Sequence, residues 1–173
     1  MNNCLITDTY PNSKITALKK FILFLVFPLT LALNTGCKKD KSCKPNPVSK
    51  EVSQIQSYAA SNGITATAHS SGLYYEIINM GTGPKANSAS KISITYTGKY
   101  MNGQIFDEQV TANVKPWALS GLIQGWIIGI PLINEGGHIK LIVPSSLAYG
   151  CEQYYDIPGN SVLFFDISLV DVQ

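Results

Sequence analysis

Residues 134–150 read NEGGHIKLIVPSSLAYG, and their meaning emerges beside LIQGW at 122–126 and YTGKYMNGQIFD at 96–107. Glu135-Gly136-Gly137 reads as a turn. The apolar run 138–143 then reads as a strand, stopped by Pro144, which has no N–H to give a ladder. Working outward, residues 91–99 (KISITYTGK) alternate: Ile92, Ile94 and Tyr96 share one face, and Ser93, Thr95 and Thr97 take the other. Asn102-Gly103 is a hairpin signal, and 104–106 return from it. Residues 73–80 (LYYEIINM) form a strand ended by the turn cluster Gly81-Thr82-Gly83-Pro84. Residues 117–119 suit another short strand. Residues 161–172 (SVLFFDISLVDV) alternate Val162, Phe164, Asp166 and Ser168 against Leu163, Phe165, Ile167 and Leu169. The apolar stretch 122–130 holds Gly125 and Gly129, which predicts a short helix packed closely on a sheet. The expected fold is therefore α+β: a twisted antiparallel sheet of about five strands wrapped on one short helix. A Tyr, a Phe-Asp pair, a Trp and a second Tyr then line one apolar pocket with two polar tips.

The N-terminal part reads differently. Lys14, Lys19 and Lys20 precede FILFLVFPLTLAL at 21–33. Such a run is shorter than the ~20 residues a spanning helix needs and matches the apolar region of a signal peptide. Pro28 inside it weakens a spanning helix further. Next come Asn34, Thr35, Gly36 and Cys37, a small residue before a Cys, which resembles a bacterial lipobox. The division that follows is a lipoprotein signal peptide at 1–36, a polar tether at 37–47, a helical lead-in and connector at 48–70, and a domain at 71–173. The resemblance implies cleavage before Cys37 and lipid on that residue. That lipid would anchor the chain to an inner or outer membrane of the cell envelope, facing the periplasm or the exterior. A plain secretory signal and an uncleaved anchor are the alternatives. Within the lead-in, Val52, Ile55 and Ala59 recur at helical spacing over 48–60, and Asn62-Gly63 supplies a stop. Residues 64–71 read as an extended connector.

Composition narrows the function. The 173 residues carry a net charge of +2, and lysines near the N-terminus supply much of that excess. A nucleic-acid binder would instead carry a basic face on its folded part. There are two His and no C-x-x-C, so a metal site has little support, and no cofactor is implied. His69 and His138 lack a partner cluster and read as exposed or satisfied polar residues. Asp166 reads as a structural carboxylate. Glu51, Glu108 and Glu135 do not pair at any telling spacing. Of the four Cys, Cys4 leaves with the leader and Cys37 takes lipid. Cys43 and Cys151 could pair in an oxidising envelope, but sequence does not fix their separation, and two unpaired thiols is the expectation.

Three strings, ITYTGKYMNGQIFD, LIQGWIIGIPLINEGGHIKLIVPSSLAYG and IPGNSVLFFDISL, stand in this order over residues 71–173. Together they resemble an FKBP-type peptidyl-prolyl cis-trans isomerase, and with the lipobox the chain is similar to lipoprotein members of Bacteroidetes-type bacteria. The resemblance implies a binding pocket for an X-Pro peptide. Trp126 would be its floor. Tyr96, Phe106, Trp117, Leu122, Ile123 and Phe165 would form its walls. Tyr149 would stand at the rim as a donor to a substrate carbonyl, Ile157 would project from the loop before the last strand, and the Ile123 N–H would be a second donor. Asp107 would sit beside Tyr96, either aiding the twisted amide electrostatically or fixing the pocket wall. Two departures stand out: Trp117 where the family more often has Phe, and a tyrosine-bearing loop GCEQYYDI at 150–157 in place of a Gly/Pro-rich flap.

The implied chemistry needs no nucleophile. Rotation about the amide faces a barrier of ~18–20 kcal/mol from resonance. A pocket that binds the twisted form better than either planar form lowers it, and about 4 kcal/mol of such preference gives a thousandfold. Partners implied are proline-containing unfolded or nascent chains and macrolide inhibitors of the rapamycin class. A non-catalytic module that captures proline segments is the competing reading. The helix at 48–60 is too short to dimerise strongly alone, so a monomer is expected.

Overall fold

The computed structural model describes residues 43–173. The leader, Cys37 and most of the tether lie outside the described residues. Helix α1 (Val48–Ser61) comes first, followed by strands β1 (Thr67–Ala68), β2 (Tyr74–Asn79), β3 (Lys91–Tyr100), β4 (Ile105–Gln109) and β5 (Trp117–Ala118). Helix α2 (Gln124–Gly129), β6 (His138–Val143) and β7 (Leu163–Val172) complete the chain. All pairings are antiparallel, in the order β1-β2-β6-β7-β3-β4, with β5 on β3. Five strands are of ordinary length, and two are two-residue stubs, one of which lies in the expected connector.

Register decides what each face of the sheet carries. Leu141 stands opposite Phe165, Ile139 opposite Ile167 and Val143 opposite Leu163. These side chains pack on the front face with Ile92, Ile94, Leu73 and α2. Their neighbours Ile142 and Phe164, also opposite one another, must point to the back. Helix α2 lies close on the front. An added Cβ at Gly125 would meet Val143 Cγ1 at 2.4 Å, and one at Gly129 would meet Leu141 Cδ1 at 2.7 Å. Only glycine permits that approach.

The back face is where expectation and structure part. Helix α1 is not a free lead-in. It covers one end of the back face, where Ile55, Tyr58 and Ala59 pack with Ile64, Ile142, Val162 and Phe164. Its buried stripe is Glu51, Ile55, Tyr58 and Ala59, whereas the expected Val52 is only half-buried. The carboxylate in that stripe, Glu51, accepts from the Ser145 N–H and hydroxyl. The rest of the back face is a polar ladder. Glu76 faces Lys140 and Lys140 faces Asp166, while His138 and Asp166 are hydrogen-bonded partners.

A second correction concerns the thiols. Cys43 and Cys151 form a disulfide across 108 residues, with Cα atoms 5.7 Å apart. The sequence separation hid this pairing. What brings the two residues together is the docking of α1, which returns the chain ahead of it to the loop after Gly150. Beside the disulfide, the Asn46 N–H donates to Asn160 Oδ1 at 2.9 Å.

Candidate active site

The front face ends in a small recess where aromatic rings meet edge to face. Helix α2 begins at Gln124 and places Trp126, 5% exposed, at the bottom. Tyr96 from β3 stands edge-on to the Trp126 indole, with centroids 5.0 Å apart and planes at 77°. Phe165 from β7 meets the indole in the same T-shaped way, at 5.1 Å and 84°. Trp117 of β5 adds a fourth ring, 6.4 Å from Tyr96. T-shaped contacts set the positive ring edge on the negative face and fix the rings' orientation. Gly98 makes room for them, because a Cβ there would lie 2.8 Å from Phe106 and 3.2 Å from Phe165.

The recess holds about 120 Å³ and is lined by Tyr96, Asp107, Trp117, Leu122, Ile123, Trp126, Tyr149 and Phe165. Ordinary small-molecule sites run to ~300–1,000 Å³, so this one suits a single small ring. Its polar groups sit at the rim. The Tyr96 hydroxyl donates to Asp107 Oδ2 at 2.5 Å across the β3–β4 hairpin. Burial, followed by that hydrogen bond and the Asp107 charge, pushes the Tyr96 pKa well above its ordinary value. Tyr149 is raised as well, by burial first and then by Tyr154 and Asp107. Both hydroxyls therefore keep their protons at neutral pH and can donate. Two further donors lack acceptors among the described residues: the buried Trp126 Nε1–H and the Ile123 N–H, whose residue caps α2.

Eight of the ten expected pocket residues thus line one recess. Phe106 and Ile157 do not. They line an adjoining recess of about 180 Å³, which shares Asp107 and Tyr149 with the first and adds Tyr100, Tyr154, Tyr155 and Asp156. Ile157 is 7% exposed and belongs to the core, so it supports the loop instead of projecting from it. The division follows from the tyrosine-bearing loop. Tyr154 stacks on Tyr149 at 4.4 Å with planes 11° apart, and Tyr155 takes a left-handed φ of 47°. A larger open groove of about 570 Å³ lies between α1, the β3–β4 turn and this loop; its lining is mixed and it lacks the ordered rings. Sequence reasoning missed Asn113. Its side chain accepts the Ile94 N–H and donates to the Ile92 and Lys115 carbonyls, tying down the loop that delivers Trp117. Nothing in its sequence context marked it. Glu51 did leave a signal, a carboxylate at helical spacing from Ile55 and Tyr58.

A family model for FKBP-type peptidyl-prolyl cis-trans isomerases matches residues 83–170, and the chain belongs to that family. The FKBP-type isomerase FkpA of Buchnera aphidicola subsp. Acyrthosiphon pisum is 37% identical over 140 residues, covering 80% of this chain and 56% of that protein. FkpA of Escherichia coli K12 is 34% identical over 119 residues, covering 68% and 43%. The chain therefore spans about half the length of the curated relatives it matches. Among solved structures, E. coli FkpA superposes with a TM-score of 0.64 at 30% identity over 72% of this chain and 60% of that one. A peptidyl-prolyl cis-trans isomerase from Pseudomonas syringae pv. tomato gives 0.61 at 25% identity, over 76% of this chain and 99% of that one.

Proposed function

We propose that this protein is a peptidyl-prolyl cis-trans isomerase that assists the folding of envelope or secreted proteins. The observation that carries the reading is the 120 Å³ recess: a Trp floor, edge-on aromatic walls and protonated hydroxyls at the mouth. A proline ring fits against the Trp126 indole. The apolar walls favour the less polarised twisted amide over the planar one, which keeps its resonance dipole. Tyr149 and the Ile123 N–H donate to carbonyls of the bound peptide and hold it in a turn. Asp107 holds Tyr96 in the wall and sets a carboxylate near the twisting bond. Every part works by differential binding, with no bond broken. Such help matters because uncatalysed X-Pro isomerisation takes tens to hundreds of seconds.

The same reading extends to the whole chain. Cys37 carries lipid and anchors the protein to an envelope membrane, the folded part works as a monomer, and the recess takes macrolides of the rapamycin class. Support comes from the lipobox at 34–37, the adjacent apolar run and the family. Labelling with a radioactive fatty acid, lost in Cys37→Ala, tests the anchor. The deciding experiment is the cis-to-trans rate of Leu-Pro and Phe-Pro test peptides with purified protein. Acceleration is expected. A folded protein that binds these peptides without accelerating them is instead a proline-segment capture module.

A further inference from the structure

The loop that presents Tyr149 is held from the opposite side of the sheet. Ser145 opens the turn: its carbonyl accepts the Ala148 N–H at 3.1 Å and the Gly150 N–H at 2.8 Å. Tyr149 lies between those two donors. Ser145 is itself fully buried, so its N–H and hydroxyl need acceptors within the protein. One side chain of α1 supplies both. Glu51 Oε2 accepts the Ser145 N–H at 2.9 Å, and Oε1 accepts its hydroxyl at 2.5 Å. Glu51 is 3% exposed, and no cation pairs with it among the described residues. Burying a lone carboxylate is costly unless hydrogen bonds compensate, and an apolar residue here would have continued the stripe of Ile55 and Tyr58. The far side of the turn is held by the same segment. Cys151 is bonded to Cys43, and Asn160, which accepts from Asn46, donates its own N–H to the Gly150 carbonyl at 2.7 Å.

We propose that Glu51 is a positioning residue for isomerisation: its carboxylate fixes Ser145, and through the turn that Ser145 anchors, it fixes the Tyr149 hydroxyl over the proline recess. This rests on the isomerase reading and on the donor role of Tyr149. A donor that acts on a fleeting geometry must be held within about 0.5 Å, and a loop tied only to its own neighbours does not achieve that. The helix on the back of the sheet is then part of the catalytic support.

The test is a double-mutant cycle on kcat/KM for a Leu-Pro peptide, corrected for folded fraction by urea unfolding. Glu51→Ala is expected to lower kcat/KM about tenfold or more, as misplacement of a catalytic group does. In a Tyr149→Phe background, the same change should cost less than about twofold, because the hydroxyl it positions is gone. Glu51→Gln should recover most of the loss: its amide oxygen still accepts the Ser145 N–H, and its amide N–H can donate to the hydroxyl oxygen. If Glu51→Ala does not fold, Ser145→Ala replaces it, with a loss of about threefold that again vanishes in the Tyr149→Phe background. A lowered urea midpoint with unchanged kcat/KM, or equal losses in both backgrounds, overturns the proposal and leaves Glu51 purely structural. No effect of Tyr149→Phe alone overturns the donor role, and the proposal with it. An inactive wild type overturns the isomerase reading itself.

Discussion

The two faces of the sheet use the same strands to opposite ends. On the back, Tyr58 and Phe164 pack at 5.4 Å, Ile55 is fully buried, and α1 closes over them as an ordinary core. On the front, four rings are ordered edge to face around a space left unfilled. Among the described residues, the floor of that space keeps an indole N–H without an acceptor, a group that normally costs stability when buried. Proteins depart from complete packing and complete hydrogen bonding mainly where a ligand will finish the job. The contrast locates the function on the front and assigns the back to holding it in place.

That division can be broken by substitution. Trp126→Ala removes the floor, and peptide kcat/KM should fall at least about a hundredfold, together with a stability loss of about 3–5 kcal/mol. Ile55→Ala makes the matching hole on the back. Urea unfolding should show a loss of about 2–5 kcal/mol, while kcat/KM per folded molecule changes less than about threefold. A Trp126→Ala protein that keeps its turnover, or an Ile55→Ala protein that loses it, would reverse the assignment. Cys43→Ser opens a loop of more than a hundred residues and should cost about 2–4 kcal/mol in the same unfolding measurement. Gly125→Ala drives a methyl group into Val143. It should cost about 1–3 kcal/mol and lower kcat/KM as well, because α2 carries Trp126.

The smallest effect is a predicted constancy. Tyr96 and Tyr149 have folded pKa values raised above the ordinary 10. What their neutral forms contribute is fully present below that unfolded value and is lost only as pH rises through the higher folded ones. Turnover of an uncharged peptide should therefore be flat from about pH 6 to 9. A step near neutrality would mean that some other group controls the rim.

The front face was legible in sequence because its residues sit in local patterns. Tyr96 sits on an alternating strand and Trp126 on a glycine-spaced helix, and their meeting with Asp107 in one pocket is what the FKBP resemblance implied. The elements were legible from a few neighbours each, and the pocket from three strings read together. The back was not legible, because its contacts are long-range. Glu51 meets Ser145 across 94 residues and Cys43 meets Cys151 across 108. In local context Cys43 and Cys151 look like spare thiols, and the helical spacing of Glu51 from Ile55 and Tyr58 names no partner for it. The split of the pocket into two recesses was equally hidden. It depends on how Tyr154 and Tyr155 fold over the rim, and Tyr155 does so through a left-handed backbone that its own sequence does not announce.

The disulfide also decides how the molecule bears load. A pull on the chain ahead of Cys43 does not first reach Val48 and peel α1 from the sheet. It passes through the sulfur bridge to residue 151 and then along the loop to β7, a strand paired on both sides. Between residues 43 and 151 the bridge bypasses the backbone, and load reaches that segment only through the pairing of β3 and β6 with β7. Helix α1, the β3–β4 hairpin and α2 with Trp126 lie inside that loop, off the direct path, whereas β7 lies on it and brings Phe165 to the recess wall.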